Sequence, residues 1–254
     1  MKATSFNYLL IVTLTSLAFP IATQAADSTA SPATRTTVPV FCSTEATRLT
    51  NYHTREAAEE AQNASDRTKE DATRASDRSK VDQTRTTDRA AWAQTQAAFF
   101  TKLETKATTD AQKAAVTAFE QTVSAAVTTR EATHDAAVTV YRAGVDHAVT
   151  TRRAAVDQAF IARDAALDTA LAAVDTSCAA TNPNGPTIRL TFVNSAKTAQ
   201  ATLKATRLSA WTTFKTAITS LEAARKASDT AADATYKTTV TTAGTTLKQA
   251  LGQK

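Results

Sequence analysis

An eleven-residue repeat runs through most of this chain without a helix breaker, and it limits the possible folds more than any other feature. From about residue 44 to about 180 there is no proline, and Gly144 is the only glycine. Cut at that period, the segment reads ASDRTKEDATR from Ala64, ASDRSKVDQTR from Ala75 and TTDRAAWAQTQ from Thr86. Later units drift in sequence but hold the phase. Val116, Val127, Val138, Val149, Phe160 and Leu171 form one column. Val123, His134, Val145, Val156 and Leu167 form a second, and Phe119, Arg130, Tyr141, Arg152, Arg163 and Val174 a third. Eleven residues make three turns at about 3.67 residues per turn, close to a relaxed α-helix, so each column stays on one face. Such a stripe suits long helices packed side by side.

The next stop signal is Asn182-Pro183-Asn184-Gly185-Pro186, which predicts a turn over 182–187. A second helix is expected from about Ile188 to Leu251. There Ile188, Ala199, Ala210, Leu221, Ala232 and Ala243 share one column, and Phe192, Leu203, Phe214, Tyr236 and Leu247 share another, with Arg225 in the gap. A short turn between long helices makes them antiparallel neighbours. The apolar columns of residues 117–180 and 188–251 therefore match. The chain has only 4 glycines and 5 prolines, too few for the turns of an α/β or all-β domain of this length. The expected class is all-α: hendecad helices in an antiparallel hairpin or an elongated three-helix coiled-coil bundle.

The N-terminus carries Lys2, an apolar run from Tyr8 to Phe19, Pro20, and small residues at Thr23 and Ala25. Residues 1–25 read as a secretory signal cleaved after Ala25, because signal peptidase needs small side chains at those two places. The rival is an uncleaved membrane anchor, against which stand Pro20 and the shortness of the run. No later segment is apolar enough to span a bilayer. Residues 26–43, rich in Ser, Thr and Pro, read as a flexible tether. The chain is expected outside the cytoplasm, in a periplasm, on a cell surface or secreted.

Two architectures share this local pattern. A continuous helix over 44–181 would be roughly 200 Å long and would separate Cys42 from Cys178, so any disulfide between them would join two chains. A reversal near 108–111, where Thr109 and Gln112 can form a capping box, would give three helices of similar length and bring both cysteines to one end. Opening that hinge in two chains would give a swapped antiparallel dimer with the same contacts. In an exported chain the two cysteines are expected to be oxidised.

The sequence carries no recognisable catalytic or metal motif. His53, His134 and His147 form no metal pair on a helical face, and His134 falls in an apolar column. Two isolated cysteines lack zinc-site spacing. The four glycines build no phosphate loop, nucleophile elbow or dinucleotide fingerprint. Carboxylates alternate with Arg and Lys as on a solvated helix face, where pairs such as Glu70–Arg74 and Arg78–Asp82 lie four apart. The expectation is a non-enzyme with no cofactor.

Charge is uneven: residues 187–254 hold ten basic and three acidic residues, against eight and ten over 91–186. The last helix is expected either to pair with its acidic neighbour or to contact an anionic envelope polymer or extracellular nucleic acid. Aromatic residues are too few for base stacking, so no specific nucleic acid is implied. Thr73, Thr84, Thr95, Thr117, Thr128, Thr139 and Thr150 are also spaced by eleven or its multiples, with Lys106 in the gap. An Ala-rich helix with such a column resembles the short helical antifreeze proteins, a resemblance that implies an ice-binding Thr face. Here Asp135, Asp146 and Asp157 flank the column, and it adjoins the Val stripe. The leading expectation is an exported structural or interaction protein, a helical rod or spacer that meets a protein partner or a second copy through helix packing. A binding module with a basic last helix comes second and an ice-binding helix last.

Overall fold

A computed structural model of the protein describes residues 40–252. The signal segment and residues 26–39 of the tether lie outside the described residues. Among the described residues the chain is helical, without strands: α1 spans Val40–Lys106, α2 Asp110–Cys178 and α3 Gly185–Ala250. Each is close to 100 Å long at about 1.5 Å per residue.

The first reversal takes three residues and uses neither Gly nor Pro. Thr109 caps α2: its hydroxyl accepts the Gln112 N–H at 3.2 Å, and the Gln112 side chain accepts the N–H groups of Thr108 and Thr109. This reciprocal box satisfies the free donors of a helix start. Ala107 is buried beneath it, so the turn is packed as well as capped. At the second reversal Asn184 caps α3 by accepting the Thr187 N–H, with Pro in the first turn. The helix thus begins at Gly185, three residues before the sequence suggested, because Pro186 is tolerated where no N–H is needed. Similarly, α1 begins at Val40 within the expected tether. Phe41 is buried there against Val174 and Ile188, and packing outweighs the Ser/Thr/Pro composition.

The helices pack unequally. α2 and α3 approach closely along their length, whereas α1 stands further off. The close pair is built from the Val, Leu and Ala columns. Val116, Val123, Val149, Leu167, Leu171 and Val174 are buried on α2, and Ile188, Ala199, Leu203, Ala232 and Leu247 on α3. Gly144 leaves room for Leu221: a methyl group there would sit 2.4 Å from a Leu221 methyl. A glycine in a helix interior costs about 1 kcal/mol relative to alanine, and here it accommodates the Leu221 side chain.

α1 is anchored by apolar groups at its ends. At the reversal, Phe100 and Leu103 join Val116, Phe119, Val123 and Leu247 in one cluster, with Phe99 edge-on to Phe119. At the far end Phe41 packs on Val174, Ile188 and Phe192, and Cys42 bonds to Cys178 with their Cα atoms 5.7 Å apart. The disulfide is therefore within one chain.

Two outcomes follow. Because the bond closes a loop with sequence separation 136, reduction or Cys42→Ser should lower stability by up to ~4–5 kcal/mol. Non-reducing electrophoresis should show a monomer whose mobility changes on reduction; a covalent dimer would contradict this connectivity. Gly144→Ala should lower the melting temperature despite the better helix propensity of alanine, and Leu221→Ala in the same chain should reverse the sign of the Gly144→Ala effect. A Gly144→Ala variant more stable than the parent would show that Leu221 does not limit the approach.

Candidate interaction surface

Between its two anchored ends α1 is held by charge. Arg67 meets Asp157, Arg78 meets Asp146 and Arg89 meets Asp135. Interleaved with these, Asp71 receives Arg153 and Asp82 receives Arg142. Every step of eleven up α1 is a step of eleven down α2, so one register satisfies all five pairs. The guanidinium forks are two-pronged: Arg78 places both Nη atoms 2.9 Å from the Asp146 oxygens, and Arg142 does the same to Asp82 at 2.8 Å. Arg78, Arg89 and Arg153 each also donate at 3.4 Å to the facing backbone carbonyl four residues before their aspartate. Arg74 and Arg85 add flanking contacts to Asp146 and Asp135. The sequence suggested Glu70–Arg74 and Arg78–Asp82 pairs along α1; instead Glu70 meets Arg153 and Arg78 crosses to α2. The Arg donors hold the carboxyls of Asp71, Asp82, Asp135 and Asp146 below the usual aspartate range.

Toward the disulfide end the charge goes inside. Arg163 is 7% exposed. It reaches Glu56 at 3.0 Å and Asp164 at 2.6 Å, between the rings of Phe160 and Tyr52. The Tyr52 hydroxyl donates to Asp164 at 3.0 Å. Burial and the neighbouring Asp164 push the Glu56 carboxyl up. Burial also works against the Asp164 carboxylate, but the hydrogen bonds it accepts hold its pKa down. Of the two carboxyls, Glu56 is therefore the more readily protonated as pH falls. Tyr52 and Arg163 occupy the polar positions around the pair, which ties α1 to α2.

The three histidines are separate. His53 lies beside Glu56 at 3.2 Å, His134 is held between Asp229 at 2.6 Å and Asp233 at 3.2 Å of α3, and His147 is exposed. Among the described residues, no group of three or more His, Cys, Asp or Glu is placed to hold a metal ion, and no helix is long and apolar enough to cross a membrane.

The cations of α3 behave unlike those of α1 and α2. The expected pairing of this helix with an acidic neighbour is not formed: among the described residues, the only α3 side chains in ion pairs are Asp229 and Asp233. Asp135, Asp146 and Asp157 of α2 face α1. Arg207 and Arg225 lie over the rings of Phe160 and Tyr141 of α2. Conversely, Arg152 of α2 covers Trp211 and Phe214, and Arg130 covers Tyr236. Arg130 and Arg152 are thus half-buried at the α2–α3 seam, Arg207 and Arg225 cover its rings from the exposed side, and the α3 lysines are exposed.

The threonine column divides between α1 (Thr73, Thr84, Thr95) and α2 (Thr117, Thr128, Thr139, Thr150), and all seven are exposed. In α2 each of the four hydroxyls donates to the carbonyl four residues earlier. The adjacent aspartates are engaged by α1. Between α2 and α3, small residues leave an open groove lined by Ala115, Ala118, Thr122, Thr239 and Ala243, continuing past Ala126 to Tyr236. No family model, curated protein or solved structure matches the chain.

The ladder is testable by charge reversal. Arg78→Asp should destabilise the fold, and adding Asp146→Arg should recover most of the loss, with a coupling of about 1 kcal/mol, the upper range for partly exposed pairs. Absence of coupling would mean that the pair does not set the register. The depressed aspartates also fix the direction of acid sensitivity: their contribution is complete above the ordinary aspartate pKa of about 3.9 and is lost as pH falls through the depressed values. Urea midpoints should therefore drop below about pH 4, and less so in an Arg78→Gln/Arg142→Gln variant.

Proposed function

We propose that this is an exported, non-enzymatic structural or interaction protein, with its hendecad helices forming an elongated coiled-coil bundle that acts as a spacer at the cell envelope or surface. The single observation behind this reading is the constant step of eleven in the α1–α2 ion pairs. A repeated contact of fixed step sets length and straightness, and its charged groups are used on one another. The apolar anchors and disulfide at the ends suit an element that must keep its length under load. Export is consistent with the Cys42–Cys178 bond, since disulfides persist outside the reducing cytoplasm. Small-angle scattering of residues 26–254 should give a rod with a radius of gyration well above the ~18 Å of a compact domain of this size, and the mature protein should begin at Ala26. A compact particle, or a cytoplasmic chain beginning at Met1, would overturn the reading.

A second reading, a module whose basic last helix captures an anionic polymer, is favoured by one observation: the α3 lysines are exposed and have no carboxylate partners among the described residues. Capture of an anionic envelope polymer that weakens steeply with salt would support it; capture insensitive to salt would count against it.

A further inference from the structure

Lys204, Lys215, Lys226, Lys237 and Lys248 stand eleven residues apart on α3. At that spacing a helix returns to the same face, so the five ammonium groups form one straight row with a step of about 16.5 Å and a span of about 66 Å. The row lies five residues on from the column of Ile188, Ala199 and Ala232, which is buried in the bundle. Five residues turn the helix by about 130°, so the row looks away from that core. All five lysines are exposed, and none makes an ion pair or hydrogen bond among the described residues. The nearest acidic groups along α3, Glu222, Asp229 and Asp233, lie three or four residues from Lys226 or Lys237, and Asp229 and Asp233 are held by His134 and Arg130 of α2.

We propose that this row is a docking surface for the backbone of double-stranded nucleic acid, engaged without regard to sequence; the proposal rests on the second reading above, that α3 is a cation-presenting helix. Three features choose this partner among polyanions. First, the row is all lysine. An ammonium is a point charge on a flexible stem that meets a phosphate from any direction, whereas base reading needs guanidinium forks or stacking rings. Of the three α3 arginines, Arg207 and Arg225 lie over α2 rings and Arg189 is exposed at the helix start outside the row, while Trp211, Phe214 and Tyr236 lie under α2 arginines. Second, the row is straight and stiff. A duplex is stiff too, with a persistence length of ~500 Å, so the two can run together with little loss of freedom, while a flexible polymer would have to be straightened. Third, the spacing matches. A duplex turns once in about 34 Å and has two strands, so a backbone crosses any given side every ~17 Å on average. The lysine stems accommodate the unequal groove widths around that mean.

The test is binding of a fluorescent 40-base-pair duplex to the oxidised protein, followed by anisotropy across a salt series. The logarithm of affinity should fall against the logarithm of salt with a slope of roughly −4 to −5, as expected for five phosphate contacts. Each Lys→Gln change in the row should reduce the slope by about 1. A relocation variant, Lys215→Gln/Lys226→Gln/Thr216→Lys/Ala227→Lys, keeps the net charge but breaks the row; it should bind the duplex about tenfold or more weakly with an unchanged thermal melt. Equal binding by the relocation variant would overturn the row. Polyphosphate or anionic phospholipid vesicles bound as tightly as the duplex, per charge, would overturn the choice of partner while leaving the cation-presenting helix in place. Binding to none of the three probes would remove both.

Discussion

The paired Arg and Asp side chains between α1 and α2 set the terms for the rest of the molecule. They permit one register, because shifting the helices by one residue would move every guanidinium off its carboxylate. They keep α1 further from α2 than α3 is, since an Arg–Asp bridge needs more room than an Ala–Val contact. They also engage Asp135, Asp146 and Asp157 of α2. The lysine row of α3 stands on a face turned away from the bundle and lies in solvent independently of these pairs. Individually such partly exposed pairs are weak. Two-pronged geometry and repetition, with apolar anchors fixing both ends of the ladder, make them effective together.

Stabilisation is thus divided by position. Desolvated contacts hold the α2–α3 seam and both ends of α1. Here Val116 is 1% exposed and the disulfide closes the far end. The middle of α1 depends on charge. The cation types divide similarly: Arg130, Arg152 and Arg163 of α2 lie on rings at the interfaces, where a planar, weakly hydrated group suffers less from burial, while the α3 lysine row remains outside. High salt or acid should consequently loosen the middle of α1 before the α2–α3 seam.

Much of this could be read from the sequence, because period alone identifies a buried face. Val116, Val149 and Leu171 came from one column and Ile188, Ala199 and Ala232 from another, and all are buried. The capping residues Thr109 and Gln112 were also visible. The reversal itself was ambiguous because no Gly or Pro marks it and the repeat keeps its phase through it. What separates a bend from a continuous helix is the burial of Phe100 and Ala107 against Leu247, a contact across most of the chain length. The ladder has a sequence signal too, since Arg67, Arg78 and Arg89 share a spacing with Asp135, Asp146 and Asp157. The match lies between two helices, and along either one alone the same charges look like a solvated face. The start of α1 at Val40 was likewise masked by composition, since the groups that order it, Val174 and Ile188, lie far along the chain.

The central claim is that the α2 aspartates belong to α1, while the α3 lysine row faces away from them. Zero-length carbodiimide crosslinking of the dilute monomer, read by mass spectrometry, tests it directly, because it joins only amines and carboxylates already in contact. Links should form within α1 between Lys69 and Asp66 and between Lys80 and Asp77, which lie 3.3 and 3.6 Å apart. No links should join Lys204, Lys215, Lys226, Lys237 or Lys248 to Asp135, Asp146 or Asp157. Abundant links between those two groups would contradict the account, since they would place α3, not α1, against the aspartates of α2.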